Sequence, residues 1–265
     1  METIPIPGAE IYYDKNFLPA EEATILFNIL LTKCAWQRHK ASFNYAVPRD
    51  EAYYGDPGTN YTYSRREYKP LAWIPELLSL RTRVEEVTPA IAYSNLSLPR
   101  LGYHAVLCNL YQNGSDSVGL HADAEPEMGP VIASVSLGAE RLFRLKGKNG
   151  AVAFAERLPH GSLFIMAGKT QKNFKHEVPK EPDVALPRIN LTFRHIERKW
   201  VPTLSRRRIA SRTLQTPERR HSPTTIAPSN LFSLHRPVLA QDLERFVQRE
   251  SLNRVSTTRH GGSAK

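Results

Sequence analysis

The sequence has only two cysteines and no long apolar run, and each shortage excludes a class of protein. Cys34 and Cys108 are the only cysteines among 265 residues, too few for the disulfide framework of a small secreted domain, and they favour a reducing compartment. No apolar stretch approaches the roughly 20 residues that cross a bilayer. Residues Met1–Pro7 lack the basic and apolar regions of a secretory signal. We therefore expect neither a membrane segment nor secretion.

Acidic residues are outnumbered at one end of the chain only. The net charge is +10, and residues 197–265 carry fourteen Lys and Arg against five Asp and Glu, whereas residues 1–196 carry 22 against 21. Ser, Thr, Arg and Pro dominate the basic end, a composition that predicts disorder. A basic, mostly disordered tail over 197–265 would attract phosphates regardless of their sequence. A solvated extension without a partner is the alternative.

Two amphipathic helices and eight short strands are predicted before that tail. The helices are expected over 19–33, where Pro19 suits the first turn, and over 75–88. From Val106 onward, short apolar runs with β-branched residues are bounded by Gly and Pro, which is typical of strands. The candidate strands are 105–111, 117–122, 131–137, 141–146, 151–157, 162–166, 174–178 and 188–196. This pattern predicts a mainly β (α+β) fold, an antiparallel double-sheet jelly roll that the helices brace from outside.

The polar residues that could bind a metal or an anion recur at every second position of the sequence. Strand side chains alternate between faces, so His121 and Asp123 would point the same way. By the same rule residues 188–194 divide into a polar face (Arg188, Asn190, Thr192, Arg194) and an apolar face (Ile189, Leu191, Phe193). With the distant His176, the chain offers two His and one carboxylate, the ligand set of non-haem Fe(II) oxygenases. Two arginines on one face suit a small dicarboxylate. A chance His-x-Asp and a solvated strand face are the alternatives for the separate pieces.

At these residues the chain resembles the AlkB-type, 2-oxoglutarate- and Fe(II)-dependent nucleic-acid dealkylases, over about residues 10–196. The segments that carry the resemblance are Cys108–Tyr111, His121–Glu125, Ile132–Gly138, His160–Met166, His176 and Arg188–Arg194. A further stretch, from Val47–Arg49 through Tyr54–Asp56 to Tyr61–Ser64, is similar to the animal branch that acts on double-stranded DNA. The resemblance implies a double-stranded β-helix, in agreement with the jelly roll that the strand pattern predicts.

The resemblance also implies a metal and a co-substrate. The implied Fe(II) ligands are His121, Asp123 and His176, which leave positions for 2-oxoglutarate and O₂. The implied 2-oxoglutarate contacts are Asn109, Tyr111, Arg188, Asn190 and Arg194. Among them Arg194 is expected at the distal carboxylate and Arg188 near the carboxylate that chelates iron.

A flipped alkylated base beside the metal is the substrate that the resemblance implies. The expected substrate-binding residues are Arg49, Tyr61, Tyr63, Ser64 and Glu125. The tyrosines would stack on the base opposite His176, Glu125 would accept from an exocyclic amine, and Arg49 would lie near the opposite strand. Core packing of the tyrosines and a solvated Glu125 are the alternatives. Ala41 stands where the double-strand branch has a bulky apolar residue, with Phe43 two positions later, so wedging by Phe43 and a preference for single strands both stay open.

The predicted function is the oxidative demethylation of N1-methyladenine and N3-methylcytosine in DNA, a direct repair. The same chemistry on RNA or single-stranded DNA is one alternative, and a non-catalytic nucleic-acid-binding protein that acts through its basic tail is another. We expect an intracellular monomer located with DNA, in the nucleus of a eukaryote or in the cytoplasm or nucleoid of a bacterium. The expected organisation is N-terminal helices and a nucleotide-recognition lid over 1–100, a catalytic core over 101–196, and the tail over 197–265.

Overall fold

A computed structural model describes residues 1–39, 47–63, 66–88 and 102–196 of the chain. The predictions for Ala41, Phe43 and Ser64, and those for the tail over 197–265, lie outside these residues. Within them, no helix has both the length and the apolar composition that a membrane crossing needs.

The described residues form three helices and thirteen strands. The helices are α1 (Ala20–Lys33), α2 (Pro75–Val87) and the short α3 (Thr170–Asn173). The strands are β1 (Glu2–Thr3), β2 (Glu10–Asp14), β3 (Asp50–Gly55), β4 (Tyr61–Tyr63), β5 (Arg66–Tyr68), β6 (Ala105–Tyr111), β7 (Val118–His121), β8 (Met128–Gly138), β9 (Arg141–Gly147), β10 (Val152–Leu158), β11 (Ser162–Ala167), β12 (Phe174–Val178) and β13 (Arg188–Ile196).

These strands form a larger and a smaller antiparallel sheet. The larger sheet has seven strands in the order β1-β2-β11-β8-β13-β6-β3, and the smaller sheet has four in the order β10-β9-β12-β7. Strands β4 and β5 pair only with each other among the described strands, and we call them the β4–β5 hairpin. Consecutive strands are thus distributed over two sheets, which is the jelly-roll arrangement. The fold class predicted from the strand pattern is confirmed.

One face of the larger sheet packs beneath the two long helices. In the central strand β13, Ile189, Leu191 and Phe193 are buried in the same apolar cluster as Leu30 of α1 and Leu77 of α2. Burial of a side chain of this size contributes about 1.5–3 kcal/mol. The helices therefore brace the sheet from outside, as the sequence predicts.

The opposite face of β13 carries the polar residues and looks toward the smaller sheet. Arg188 and Arg194 are 1% and 4% exposed, so this strand is buried on both faces. A second apolar cluster, which includes Phe143 of β9 and Phe164 of β11, fills part of the space between the sheets. The remaining space, in front of the polar face, is the cavity described below.

Helix termini follow the sequence signals, whereas three strands of the larger sheet, β1, β2 and β3, are not among the eight predicted strands. Pro19 caps α1 and Pro75 begins α2, as proline at a helix start requires no backbone donor. Strands β1 and β2 were not predicted, and β3 lies in residues 36–68, where abundant aromatic residues, Gly and Pro predict loops and short strands. Strands β2 and β3 are short segments whose partners, β11 and β6, are distant along the chain, so local periodicity gives little indication of them.

Candidate active site

A cavity of about 680 Å³, including its mouth, lies between the two sheets. Both sheets and the β4–β5 hairpin contribute side chains to its wall. Among the predicted site residues the wall contains His121, Asp123, His176, Asn109, Tyr111, Arg188, Asn190, Arg194, Arg49, Tyr61 and Tyr63. Glu125 lies outside this wall. The structure therefore brings most of the predicted residues to one place, although they come from distant parts of the chain.

The three predicted metal ligands form a compact cluster. One atom from each of His121, Asp123 and His176 lies within 4.8 Å of the other two. The Nε2 atoms of His121 and His176 are 4.0 and 3.9 Å from the carboxylate oxygens of Asp123. Two imidazoles and one carboxylate around a common point are a donor set suited to Fe(II), and such a set leaves coordination positions open for other ligands.

The cluster depends on strand pairing and on one loop contact. His176 of β12 lies directly opposite His121 of β7 in the antiparallel register. Strand β7 ends at His121, so Asp123 lies beyond the strand and strand alternation alone does not bring its carboxylate to His121. Instead, the side-chain oxygen of Gln171 in α3 accepts the backbone N–H of Asp123 at 3.0 Å. This contact holds the loop so that the carboxylate returns to the two imidazoles.

The surroundings of the cluster favour the neutral form of His176 and the ionised form of Asp123. Burial opposes the charge of His176, and the nearby His121 opposes it further, so the pKa of His176 is lowered to about 3. Burial also opposes ionisation of Asp123, but Arg194 and the two imidazoles outweigh it and the pKa of Asp123 is lowered. Neutral imidazole and ionised carboxylate are the forms that coordinate a cation. The ring nitrogen Nδ1 of His121 lies 2.8 Å from the carbonyl of Gly119, which directs Nε2 toward the cluster.

Arg188 is a buried cation that forms no ion pair with an acidic side chain among the described residues. Its guanidinium donates to Ser136 and Asn190 at 2.9 and 2.8 Å and lies 5.3 Å from the ring centre of Tyr111. Its Nε and Nη1 atoms are buried and have no hydrogen-bond partner among the described residues. Burial lowers the pKa of Arg188. Burying an unpaired charge costs several kcal/mol, so this end of the cavity fits an anionic group that supplies the missing acceptors, such as the carboxylate of 2-oxoglutarate.

Arg194 occupies the metal end of the cavity, which reverses the order expected for the two arginines. Its Nη2 donates to Asp123 at 2.8 Å, and its Nη1 donates to the hydroxyl of Tyr61 at 3.1 Å. Arg188 is six residues away along an extended strand, which corresponds to about 20 Å. Arg194 therefore lies beside the metal cluster, contrary to the expected order of the two arginines, and which carboxylate each of them binds stays a prediction. Period-two spacing indicates the face that the arginines share but not which end of the cavity each occupies.

The polar residues between the two arginines form a continuous network. Asn190 accepts from Ser134 and Arg188 at 2.9 and 2.8 Å and donates to Thr192 at 2.9 Å. Asn109 lies opposite Asn190 in the β6–β13 register. Tyr111 lies two residues further along β6, at the Arg188 end. Their roles as 2-oxoglutarate contacts stay predictions, and their positions in the cavity wall are consistent with those roles.

The two tyrosines predicted to stack on a base have different surroundings. Tyr61 is 3% exposed and stacks on Tyr68 with ring centres 4.9 Å apart and planes 13° apart. It also contacts Tyr53 edge-on. This environment is the core packing that the sequence left open. Tyr63 is half-buried and its ring centre lies 6.4 Å from that of His121, so Tyr63 is the tyrosine that faces the metal cluster.

Arg49 and Glu125 are placed differently from expectation, and Ser64 lies outside the described residues. Arg49 is 8% exposed, and its guanidinium is bonded to Asn109 and Glu51. It therefore points into the cavity wall rather than outward to a second nucleic-acid strand. Glu125 follows β7 in a loop, where burial raises its pKa, and its Oε2 is buried without a partner among the described residues.

Three residues that complete the site escaped the sequence analysis. Gln171 fixes Asp123, while Glu51 and Tyr68 bond to each other beside Arg49. Two of these were missed because a single amide or tyrosine carries no recognisable spacing. Glu51 follows Arg49 by two residues in one strand, a period-two signal like the one that indicated His121 and Asp123.

Comparisons with known proteins agree with this geometry. The profile of the 2OG-Fe(II) oxygenase superfamily matches residues 10–194. The alpha-ketoglutarate-dependent dioxygenase alkB homolog 3 of Bos taurus is 39% identical over 196 residues, which are 68% of this chain and 64% of that protein. The DNA oxidative demethylase ALKBH2 of Homo sapiens is 40% identical over 163 residues, 57% of this chain and 58% of that protein. The chain thus spans less than two thirds of the length of these relatives.

A solved structure supports the fold. The structure of OsALKBH1 aligns with a TM-score of 0.51 and 21% sequence identity, and the alignment covers 69% of this chain and 97% of that chain. At this identity the likeness shows the fold alone.

Proposed function

Because the chain belongs to the 2OG-Fe(II) oxygenase superfamily, we propose that it is a dioxygenase that removes methyl groups from N1 of adenine and N3 of cytosine in DNA. The proposal is supported by the His121, Asp123 and His176 cluster and by the names of relatives that are called DNA oxidative demethylases. A soluble dicarboxylic co-substrate and Fe(II) are part of the proposal.

In this proposal the protein's own residues bind and orient the two substrates. Arg188 binds the distal carboxylate of 2-oxoglutarate, because its free Nε and Nη1 donors need an anion. Arg194 holds Asp123 in its ionised form through their 2.8 Å contact. Asn109 lines the space between these ends, and Tyr111 lies at the Arg188 end. Together they fix one orientation of the keto acid in the cavity.

Fe(II) bound by the cluster would supply the oxidation, in which O₂ and the decarboxylation of 2-oxoglutarate convert a methyl C–H bond to C–OH. The resulting N-hydroxymethyl group releases formaldehyde and leaves the unmodified base. The methyl group lies on the Watson–Crick edge, so the base has to leave its stack to reach the cavity. Tyr63 beside His121 offers an aromatic surface for that base.

The proposal rests on one observation. Arg188 is buried in the same cavity as the His-Asp-His cluster and has no carboxylate partner among the described residues. A structural arginine of this burial pairs with a carboxylate, as Arg141 does with Glu181 at 3.0 Å. Arg188 instead lines the cavity and has two donors without a partner among the described residues. This combination favours a catalyst that binds a metal and an anionic co-substrate over a non-catalytic binding protein.

Formaldehyde release from methylated oligonucleotides tests the proposal. We expect release that requires both Fe(II) and 2-oxoglutarate, with one succinate formed for each formaldehyde. Duplex DNA, single-stranded DNA and RNA of one sequence, each with N1-methyladenine or N3-methylcytosine, would be compared. Succinate formation without formaldehyde from any of these substrates would reject methylated bases as the substrate class.

A single-stranded substrate is the second candidate, and the position of Arg49 favours it. Arg49 is bonded within the cavity wall by Asn109 and Glu51, so its guanidinium is not presented to an opposite strand. In this case turnover on single-stranded DNA or RNA would exceed turnover on the duplex.

Deletion of residues 197–265 separates a catalyst from a protein that acts through its basic tail. A repair enzyme keeps its turnover on short oligonucleotides after the deletion, because the predicted ligands all precede the tail. A protein that acts through the tail loses its nucleic-acid affinity, most strongly at low salt.

A further inference from the structure

Glu51 is a buried carboxylate that links two parts of the site. It lies in β3, at the edge of the larger sheet, and is 2% exposed. Its Oε1 is 2.6 Å from Nη2 of Arg49, and its Oε2 accepts the hydroxyl of Tyr68 at 2.8 Å. The Arg49 guanidinium compensates the buried charge of Glu51 as an ion pair at Oε1, and the Tyr68 hydroxyl donates a hydrogen bond to Oε2. Oε1 has no hydrogen-bond partner besides this ion pair among the described residues. Glu51 therefore depends on partners from two different parts of the chain.

Through Arg49, Glu51 is connected to Asn109, one of the predicted 2-oxoglutarate contacts in the cavity wall. Nε of Arg49 donates to the amide oxygen of Asn109 at 2.8 Å. Asn109 lies opposite Glu51 in the β3–β6 register and opposite Asn190 in the β6–β13 register. Because its oxygen serves Arg49, the NH₂ group of Asn109 is left to donate to an acceptor in the cavity. The rotamer of Asn109 therefore depends on Arg49, which in turn depends on the charge of Glu51.

The Tyr68 side of Glu51 leads to the hairpin that faces the metal cluster. Tyr68 belongs to β5, and its ring stacks on that of Tyr61 in β4. The next residue of β4 on the same face, Tyr63, is the one that lies beside His121. The β4–β5 hairpin pairs with no other described strand, so side-chain contacts of this kind fix its position against the sheet.

We infer, on the basis of the proposed function, that Glu51 is a positioning residue that ties the hairpin on the nucleic-acid side to Asn109 on the 2-oxoglutarate side. Glu51 acts through Arg49 and Tyr68 and touches neither substrate itself. Its charge also holds Arg49 inward, which removes this arginine from contact with a second strand. Glu51 thereby contributes to substrate affinity at both ends of the cavity and to a preference for single strands.

Two conservative substitutions separate the two arms of this link. Tyr68→Phe removes only the hydroxyl that bonds to Glu51, and we expect oligonucleotide binding to weaken about five- to tenfold, with the 2-oxoglutarate dissociation constant unchanged within about twofold. Glu51→Gln keeps the shape but leaves Arg49 without a counter-charge. We expect both dissociation constants to rise about tenfold and the ratio of duplex to single-strand binding to increase. Rescue by Glu51→Asp should be partial.

Glu67→Gln is the matched control, because it makes the same chemical change at an exposed position of the same hairpin. Glu67 pairs with Lys69 and Asn60 at the surface, so both constants should match those of the unsubstituted protein. All variants would be measured on the full chain loaded with Mn(II), by 2-oxoglutarate titration and by anisotropy of a labelled methylated oligonucleotide. Hydrogen exchange of the β4–β5 amides would report the hairpin directly.

Unchanged binding constants in Glu51→Gln and Tyr68→Phe, with only a lower melting temperature, would overturn the inference and leave Glu51 a structural residue. Absence of turnover in the unsubstituted protein would reject the proposed function. The inference would still be decided by the binding constants. If the unsubstituted protein bound no oligonucleotide, the decision would rest on two readouts. The first is the 2-oxoglutarate dissociation constant of Glu51→Gln, and the second is the hydrogen-exchange protection of the β4–β5 amides in Tyr68→Phe. If both matched the unsubstituted protein, the inference would be rejected.

Discussion

At the scale of single residues, the two arginines of β13 are both buried but have different partners. This difference indicates a different functional role for each of them. Arg194 is paired with Asp123, whereas Arg188 has neutral partners and two unused donors. An arginine already paired with a metal ligand influences the metal. A buried arginine without a carboxylate partner can pair with the carboxylate of a bound ligand.

Arg188→Gln tests the role of the unpaired arginine. We expect the dissociation constant for 2-oxoglutarate to rise about 30- to 100-fold, since a charge-assisted pair of about 2–3 kcal/mol is lost. The turnover number at saturating 2-oxoglutarate should change little. A binding titration gives the dissociation constant, and steady-state kinetics with 2-oxoglutarate varied gives the turnover number. Arg144→Gln serves as the control, because Arg144 is a partly exposed arginine of β9 that pairs with Glu177 and is not among the cavity-lining residues. An unaltered requirement for 2-oxoglutarate in Arg188→Gln would remove Arg188 from the co-substrate site.

Arg194→Gln should produce the opposite pattern. The substitution leaves the 5%-exposed Asp123 with weaker charge compensation, because a neutral amide replaces the guanidinium at 2.8 Å. We expect weaker Mn(II) binding and a lower turnover number at saturating co-substrate. A variant that changed only the 2-oxoglutarate requirement would restore the assignment of Arg194 to the distal carboxylate.

The sequence predicted which residues gather at the site better than what each of them does there. Strand parity was enough to group Arg188 with Arg194, because alternation across a strand is a local property. The order of the two arginines along the cavity depends on the loop that returns Asp123 to the cluster. The burial of Tyr61 depends on Tyr53 and Tyr68, which are neighbours in space only. Contacts of this kind leave no periodic signal in the chain.

At the scale of elements, the short helix α3 connects two of the metal ligands. It ends directly before β12, which carries His176, and its residue Gln171 bonds to the backbone of Asp123. Gln171 also donates to the sulfur of Met166 at 3.2 Å. The helix therefore fixes the spacing between ligands that come from different strands.

Gln171→Leu tests this connection. The substitution preserves size but leaves the buried N–H of Asp123 without its acceptor, which costs about 1–3 kcal/mol. Loss of such support typically weakens metal binding by about 10- to 100-fold, and we expect a Mn(II) dissociation constant raised within that range. Gln112→Leu, at an exposed position directly after β6, is the control. Equal Mn(II) affinity in the two variants would mean that α3 does not position Asp123.

The elements were predicted well where they are periodic and poorly where they are short. The eight strands from Ala105 to Ile196 appear at the predicted places because their apolar runs are bounded by Gly and Pro. Strands β2 and β3 are defined by their pairing with β11 and β6. These two strands therefore form only because distant strands of the sheet pair with them, and the local sequence does not determine them.

At the scale of the whole molecule, His160 joins the bracing helix to the larger sheet. Its Nδ1 accepts the backbone N–H of Gly138 at the end of β8, at 2.9 Å, and its Nε2 lies 3.1 Å from the hydroxyl of Thr24 in α1. Only the neutral ring can accept at Nδ1. Burial lowers the pKa of His160 further. The unfolded chain therefore binds a proton at His160 more readily than the folded protein does.

Acid should weaken this connection in a defined direction. The contribution of His160 to the free energy of unfolding is fully present above the unfolded pKa of about 6.5 and is lost as the pH falls below it. We expect His160→Gln to be less stable at pH 7.5, by up to about 1 kcal/mol, and to lose less stability between pH 7.5 and 5.5. Urea unfolding of both proteins at several pH values measures the difference, and parallel pH curves would contradict the assignment.

The central claim is that one cavity binds a divalent metal through His121, Asp123 and His176 and a keto diacid through Arg188. Calorimetric titration of the full chain with Mn(II), with and without 2-oxoglutarate, tests it most directly. The account predicts one ion per chain and tighter binding when 2-oxoglutarate is present. It also predicts loss of the ion in Asp123→Ala, and retention of the ion without the 2-oxoglutarate effect in Arg188→Gln. Binding of Mn(II) by Asp123→Ala with unchanged affinity and stoichiometry would contradict the account.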